Sequence, residues 1–137
     1  MASPFDNPFG LSALSLPLRE QRLKVLSSNL ANADTPGFQA QDFDFQRALN
    51  GAEDQARRVS TRPAAGGDSI LSQSLAGAPD YRSYVTTRPG LQPSLDGNTV
   101  NSETENAAFG RAVLEYRASL TFFESRVRGL MTAITGQ

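Results

Sequence analysis

The side chains that could carry catalysis in this sequence are two closely spaced acidic pairs, Asp42 with Asp44 and Glu53 with Asp54. Paired carboxylates supply the acid and the base in enzymes that cleave glycans, so a hydrolase of the cell wall is the enzyme class to consider. The chain contains no histidine and no cysteine, and it therefore lacks the commonest general base and the best thiol nucleophile. Adjacent or alternating acids on a loop or edge strand are usually solvated, and we predict that the protein is not an enzyme.

Composition narrows the function classes further. The chain has 137 residues, of which 39% are hydrophobic. This share is below the usual ~45–50%, and leaving glycine out of the count explains only part of the difference. A large buried core is not expected. Without cysteine or histidine the usual zinc ligands are missing, and we predict no metal, no cofactor and no small-molecule substrate. The formal net charge of −1 gives no electrostatic reason to expect nucleic acid as a partner.

The clearest pattern is an apolar seam in a C-terminal helix, which we predict within residues 101–137. Its residues follow one another at alternating spacings of four and three, which is typical of a helix that packs against a partner helix. Ser102 and Glu105 fit a capping box at the start of this helix. The seam consists of Phe109, Val113, Tyr116, Leu120, Phe123, Val127, Leu130 and Ile134.

A second apolar surface on this helix consists of Leu114, Ala118 and Phe122, which we call the outer stripe. These residues lie at i, i+4 and i+8, on roughly the opposite side from the seam. A simple two-stranded coil would expose them to water, so we predict a second neighbour. Gly110 and Gly129 favour close approach of another backbone. The alternative is scattered surface hydrophobes, since single exposed Leu or Phe residues are common.

An N-terminal helix is predicted within residues 11–35, and it also carries two apolar stripes, which imply two partners. Pro17 either kinks this helix or moves its start to Leu16 or Pro17, so the conformation of residues 1–15 stays open. One stripe consists of Leu16, Leu23, Leu26, Leu30 and Ala33, and the other of Leu11, Leu14, Leu18 and Val25.

The middle of the chain, residues 36–100, is predicted to be rich in loops with short β elements. Glycine and proline are so frequent in residues 51–98 that we expect no long regular element there. Two short segments could still be strands. Residues 42–45 alternate polar and apolar side chains, and residues 81–87 are rich in β-forming types.

Residues 29–38 predict the end of the first helix followed by a reversal of the chain. The two asparagines tolerate the left-handed conformation that suits a helix exit. A residue before proline is disfavoured in the helical region, and a Pro-Gly pair favours the centre of a type II turn. The following phenylalanine could then fold back onto the helix flank. This turn motif consists of Asn29, Asn32, Thr35, Pro36, Gly37 and Phe38.

The longer string around this turn, SSNLANADTPGFQA at residues 27–40, closely resembles the signature of the bacterial flagellar axial proteins, which include rod, hook and hook-associated subunits. Within that family, QDFDF at residues 41–45, QPSLDGNTV at residues 92–100 and the segment at residues 106–134 are similar to basal-body rod proteins. Residues 46–90 match no such pattern. Asp34 and Gln39, the latter where relatives often carry a basic residue, are small departures.

The resemblance implies a mainly α fold in which long N- and C-terminal helices pair as an α-helical coiled coil. It implies a structural subunit of the proximal rod, which assembles into a tubular shaft, transmits torque and leaves a central export channel. The implied location is the periplasmic rod of the flagellar basal body. The implied partners are its own copies, the ring-to-rod adaptor protein FliE, other rod proteins and the flagellar type III export gate.

Export by that route uses no cleaved signal peptide. The first ten residues contain no lysine or arginine and no continuous apolar region, so they do not look like a secretory signal. We expect residues 1–10 to form a flexible export segment. Its residues Phe5 and Phe9 resemble the Phe-x-x-x-apolar element of early flagellar substrates.

Two other functions stay open at this point. The chain could be another flagellar axial rod subunit, or a soluble two-helix coiled-coil adaptor that docks one partner helix. The adaptor explains the seam but not the outer stripe or the second stripe of the N-terminal helix. A stable helical monomer or dimer in sedimentation experiments would favour it.

Overall fold

The computed structural model of the protein describes residues 10–60, 80–90 and 95–136. Within these residues the chain is mainly helical with two short strands, as the sequence predicts. The elements, in chain order, are helix α1 (Gly10–Ala31), strand β1 (Gln41–Phe43), helix α2 (Phe45–Ser60), a short 3₁₀ helix (Tyr81–Tyr84), strand β2 (Val85–Thr87) and helix α3 (Ser102–Thr135). No helix in the described ranges is both long enough and apolar enough to span a membrane.

Helix α1 begins at Gly10 and contains Pro17 in its interior. Residues 10–15, whose conformation the sequence left open, are therefore helical, while residues 1–9 lie outside the described part of the chain. Proline costs one backbone hydrogen bond in a helix interior. The adjacent Leu18 is almost completely buried, and the burial of such a side chain contributes about 2 kcal/mol, which offsets much of that cost.

Helices α1 and α3 pack against each other in antiparallel directions. Asn29 of α1 contacts Glu105 of α3, and Arg19, ten residues earlier, contacts Glu115, ten residues later. The seam faces this contact, since every seam residue from Phe109 to Leu130 is half-buried. On α1, Leu18 and Leu26 are buried. The other apolar residues predicted for assembly on this helix are half-buried: Leu14, Leu16, Leu23, Val25 and Leu30.

Helix α2 contradicts the expectation that residues 51–98 contain no long regular element. It spans 16 residues and continues to Ser60, because the nearest proline, Pro63, comes only after it. Asp44 begins the helix by accepting a hydrogen bond from the backbone N–H of Arg47 at 3.0 Å. Gly51 is the one breaker inside α2, and the space left by its missing side chain is taken by the ring and hydroxyl of Tyr84.

The core lies where α1, β1 and α2 meet, and it is small. Its buried members are Leu18, Phe43 and Ala48. Partly buried residues surround them: Val25, Phe45, Leu49, Tyr81, Tyr84 and Val85. Strands β1 and β2 pair antiparallel with Phe43 opposite Val85 and Gln41 opposite Thr87. The sheet thus attaches α2 and the 3₁₀ helix to the flank of α1.

The two strand predictions are confirmed in position but not in length. The first segment was expected to continue to residue 45, but Asp44 caps α2 and Phe45 is already helical. In the second segment, residues 81–84 form the 3₁₀ helix and only residues 85–87 are a strand. Asp80 causes this change, because its side chain accepts from the backbone N–H of Arg82 and its carbonyl accepts from Ser83.

Candidate assembly interface

The turn predicted after α1 is present. The carbonyl of Thr35 accepts a hydrogen bond from the N–H of Phe38 at 3.2 Å, which closes a four-residue turn around Pro36 and Gly37. Gly37 has φ of 73°, the positive value that the third position of a type II turn requires. Any side chain at this position would be strained, so the backbone conformation itself calls for the glycine.

The segment at residues 95–100 fastens this turn from the other end of the sequence. Asn98 is buried, and its Nδ2 lies 3.0, 2.7 and 2.9 Å from the carbonyl oxygens of Asn32, Ala33 and Thr35. These carbonyls follow the end of α1 and have no partner within the helix. A backbone hydrogen bond joins the same two segments, because the carbonyl of Asp96 accepts from the N–H of Gly37 at 2.8 Å. The Asn98 side chain therefore contacts three carbonyl groups just after the end of the first helix.

Replacement of Asn98 by Asp should destabilise the chain more than replacement by Ala. Alanine removes the side-chain donor, which costs about 1 kcal/mol, because the carbonyls of Asn32 and Thr35 keep the backbone N–H groups of Thr35 and Phe38 as partners. Aspartate keeps the acceptor that binds the N–H of Val100, but it places a carboxylate oxygen against the same carbonyls. Urea unfolding monitored by circular dichroism would measure both, with the exposed Asn106→Ala as the control. Equal effects of Asp and Ala at position 98 would contradict this prediction.

Asn29 is a buried polar junction as well as a residue near the end of α1. It is fully buried, its Oδ1 accepts from the N–H of Gln41 at 3.0 Å, and its Nδ2 donates to the carbonyl of Gln41 at 2.7 Å. The same Nδ2 also donates to Glu105 Oε2 at 3.0 Å. The Asn29 amide therefore pairs with the backbone of β1 as another strand would, and it joins α1 to both β1 and α3.

Glu105 completes this junction, and its role corrects the predicted capping box. The structure gives the N-cap to Asn101, whose side chain accepts from the N–H of Thr104 at 3.0 Å. Glu105 is fully buried instead, and it accepts hydrogen bonds from Asn29 and from the guanidinium of Arg88. A buried charge is tolerated when it is paired and hydrogen-bonded. We call Asn29, Arg88 and Glu105 the polar joint.

A second ionic cluster lies further along the helix pair. Glu115 binds Arg19 at 2.8 Å and Arg111 at 3.1 Å, and Arg22 lies 3.8 Å away. Partial burial acts to raise the pKa of Glu115, but the hydrogen bond from Arg111 and the positive charges of Arg19 and Arg22 outweigh it, so the pKa lies below its usual value. The carboxylate is therefore ionised at neutral pH. The ion pairs of Glu115 and the hydrogen bonds of the polar joint together fix the register of α1 against α3.

Local sequence patterns do not indicate the residues that connect distant segments, namely Arg88, Asn98 and Glu115, and they place Glu105 in a capping box that the structure does not form. One signal was available. Glu105 lies four residues before Phe109, so it continues the seam with a charged residue, and a charge in a buried register indicates a specific partner. The string at residues 92–100 was identified as a motif, but nothing local showed that Asn98 would reach residues more than sixty positions away.

The outer stripe remains uncovered by the described residues. Leu114 and Phe122 are 68% and 70% exposed, and Ala118 is exposed as well. No described atom outside the helix lies within 4 Å of where a side chain at Gly110 or Gly129 would begin, so the described residues do not make the expected close backbone approach. Ile134, the last seam residue, is also exposed. The export element with Phe5 and Phe9 lies outside the described residues.

An open groove of about 520 Å³ lies beside the contact between α1 and the start of α3. Its apolar part comes from Leu23, Ala31 and Phe109, and polar side chains of α1 line the rest: Glu20, Lys24, Ser27 and Ser28. Nowhere in residues 10–60, 80–90 or 95–136 do acidic side chains cluster in a way that could hold a metal ion. The apolar part of the groove is suited to receiving an apolar side chain of a protein partner.

Comparisons with known proteins agree with this picture. Residues 9–39 match the family model described as flagella basal body rod protein, and this range covers α1 and the turn motif. The flagellar basal body rod protein FlgB of Aeromonas hydrophila is 40% identical over 138 residues, covering 100% of this chain and 99% of the relative. The FlgB protein of Escherichia coli K12 is 37% identical over 142 residues, covering 98% and 97%.

A third relative is similar over the same extent of the chain. The FlgB protein of Cereibacter sphaeroides is 40% identical over 136 residues, covering 97% of this chain and 98% of the relative. The similarity therefore includes the middle segment, for which the sequence analysis had found no match. Identity at this level over whole chains establishes common descent, and the chain belongs to the FlgB family of flagellar basal body rod proteins.

Proposed function

We propose that this protein is a structural subunit of the proximal rod of the bacterial flagellum. The observation that carries the proposal is the similarity to FlgB proteins over the full length of the chain. The exposed outer stripe and the groove beside Leu23 and Phe109 are compatible with a structural role, because both offer apolar surface for protein contacts. The role is mechanical: the subunit carries torque through packed helices and leaves a channel for export.

In this proposal the two terminal helices form the assembling core as an α-helical coiled coil, with residues 11–35 and 101–137 as its two parts. The antiparallel packing of α1 on α3 and the heptad spacing of the seam support it. Residues 36–100 form the outer segment, which the small core around Phe43 and Ala48 attaches to α1. The turn motif and Asn98 set the angle at which the chain leaves the helix.

Assembly into a shaft requires two different surfaces on each subunit. A contact between unlike surfaces that does not close into a ring generates a helical filament, whereas a single self-complementary surface gives only a dimer. The exposed outer stripe on α3 and the open groove beside Leu23 and Phe109 are two such unlike surfaces. The seam residues contribute indirectly, by holding α1 and α3 together so that both surfaces are presented.

The proposed partners are other copies of this chain, the adaptor protein FliE, other rod proteins and the flagellar type III export gate. The proposed location is the periplasmic rod, reached by export without a cleaved signal. A chain with a small core can unfold and pass a narrow channel readily. Residues 1–10, with Phe5 and Phe9, would act as the export segment.

The experiment that tests this function uses a strain from which the gene for this chain has been deleted. A tagged chain expressed there should restore swimming, and it should co-purify with basal bodies after detergent extraction and density-gradient sedimentation. A strain that builds no basal-body rings serves as the control, and in it the tagged chain should not sediment. Complete basal bodies that form without the chain would refute the proposal, and a tagged chain that stays as a small soluble complex would favour the adaptor function.

A further inference from the structure

The exposed outer stripe borders a row of arginines. Arg111 and Phe122 are eleven residues apart, which is close to three helical turns, so they lie on the same side of α3. The same spacing relates Glu115 to Arg126. Guanidiniums of α1 reach this side too, through their ion pairs with Glu115. The basic edge, as we call this row, consists of Arg19, Arg22, Arg111 and Arg126.

The basic edge carries more positive charge than the described residues neutralise. Three guanidiniums, those of Arg19, Arg22 and Arg111, share the single carboxylate of Glu115. Arg126 is exposed and forms no ion pair within the part of the chain that the structure describes. A surface with an excess of one sign of charge favours a partner of the opposite sign.

The donors of the basic edge also outnumber their acceptors. The Nε atoms of Arg19 and Arg22 are buried and have no hydrogen-bond partner among the described residues. Nη1 of Arg22 lies 3.8 Å from Oε2 of Glu115, which is too long for a hydrogen bond. A guanidinium has five N–H donors and can bind a carboxylate through two of them at once. The cluster therefore has the capacity to bind a second carboxylate beside that of Glu115.

We propose that the outer stripe and the basic edge together bind an amphipathic helix of a different protein, whose apolar side chains cover the stripe and whose carboxylates pair with the arginines. The proposal rests on the proposed function, which places the outer stripe at an assembly contact, and it adds the chemistry of the partner. The row from Arg111 to Arg126 spans ~22 Å, the length of a helix of about 15 residues. Gly129, at the end of the row, lets the backbone of the partner come close.

A second copy of this chain does not offer such a helix in its described residues. Glu20 is the only acid of α1, and it already pairs with Lys24 at 2.8 Å. Helix α2 carries Glu53 and Asp54, but its apolar side, around Ala48, packs on the core beside α1. Helix α3 presents arginines along its own stripe, and these would repel the basic edge of another copy. The chemistry of the surface therefore favours a different chain.

The test is photocrosslinking in cells that build flagella. The photoreactive aromatic amino acid p-benzoylphenylalanine replaces Phe122 in the full-length chain, and the same amino acid at position 124 is the control. Glu124 is exposed, lies at a similar height and points about 160° away around the helix. After irradiation, mass spectrometry identifies the peptide that is joined to the chain.

We expect a peptide of a different protein that has apolar residues at helical spacing with acidic residues beside them. Its yield should be about tenfold higher from position 122 than from position 124, because only one side of the helix faces the partner. A peptide from a second copy of this chain, a peptide without acidic residues, or equal yields at the two positions would overturn the proposal. The proposed function would still stand, because membership of the rod does not depend on which protein covers the stripe.

Charge exchange gives a second measurement. Arg126→Glu should lower the crosslink yield from position 122 about fivefold, because it places a carboxylate against those of the partner. Arg82→Glu makes the same change in net charge at an exposed arginine of the 3₁₀ helix and should leave the yield unaltered. Replacement of the nearest acid of the identified partner by Lys should restore the yield of the Arg126 variant. Equal yields for Arg126→Glu and Arg82→Glu, or no restoration by Lys, would show that the basic edge does not select the partner.

Discussion

Replacement of Leu114 and Phe122 together by Asp is expected to abolish swimming while the isolated chain stays folded. Both side chains are exposed in the single chain, and substitutions at such positions usually change the free energy of unfolding by no more than ~0.5 kcal/mol. In the rod the same positions would bury unpaired carboxylates at a contact between helices, at a cost of several kcal/mol. Spreading in soft agar and thermal unfolding by circular dichroism would measure the two effects separately.

The matched control is Arg117→Asp with Glu124→Asp. These two positions are exposed on the same helix but lie outside the outer stripe, and the pair changes the net charge by the same amount, −2. We expect normal spreading and an unfolding temperature within about 3 °C of the parent for this control. Normal swimming of the Leu114 and Phe122 variant would remove the outer stripe from the proposed assembly. Loss of its helical signal would instead show that the stripe packs within the chain.

The seam would give a less informative test. Leu120 and Phe123 are half-buried on the side of α3 that faces α1. Charged residues there would act on the contact between α1 and α3 inside one chain. Lost motility would then not distinguish a folding defect from an assembly defect. The outer stripe separates the two effects because Leu114 and Phe122 are largely exposed in the single chain.

The long C-terminal helix could be predicted from the sequence because its signals are local and repeat. The alternating spacing of the seam over eight residues indicated a long helix, and the structure has a helix there, Ser102–Thr135. The turn was also readable, since a proline followed by glycine sets backbone angles with no help from the rest of the fold.

Helix α2 could not be predicted from the overall frequency of glycine and proline in residues 51–98, because these residues are unevenly distributed. Most of the breakers in residues 51–98 come after Ser60, and the helical residues before them contain only Gly51. The apolar residues Phe45, Ala48 and Leu49 have helical spacing, but the alternation at residues 42–45 favoured a strand. The side chain of Asp44 caps the helix and so favours helix over strand from Phe45 onward. The sequence alone does not distinguish an aspartate that caps a helix from one that is only exposed to solvent.

The polar connections could not be predicted because each joins residues far apart in the chain. Glu105 and Asn29 are separated by 76 positions, and Asn98 and Thr35 by 63. Asparagine and glutamate are usually exposed, so neither type indicates burial by itself. The outer stripe shows the converse, since its apolar character was readable in the sequence, while none of the described residues covers it.

Replacement of Glu105 by Ala should lower the free energy of unfolding by about 3 kcal/mol, the largest single effect we expect within the chain. The guanidinium of Arg88 would lose its carboxylate, and the buried amide of Asn29 would lose one of its acceptors. Glu105→Gln keeps the shape and one acceptor oxygen but removes the charge, so it should cost less, about 1–2 kcal/mol. The exposed Glu124→Ala is the control, with an expected change within ~0.5 kcal/mol.

A double-mutant cycle would show whether the polar joint acts as one unit. If Arg88 and Glu105 are coupled, removing both should cost about 1–3 kcal/mol less than the sum of the two single changes to Ala. The reason is that each single change leaves a charge without its partner, whereas the double change leaves neither. Additive effects would mean that Arg88, which is 31% exposed, finds water as readily as it finds Glu105. The end of β2 would then be held mainly by its backbone bonds, including the one from the N–H of Arg88 to the carbonyl of Ala40 at 2.7 Å.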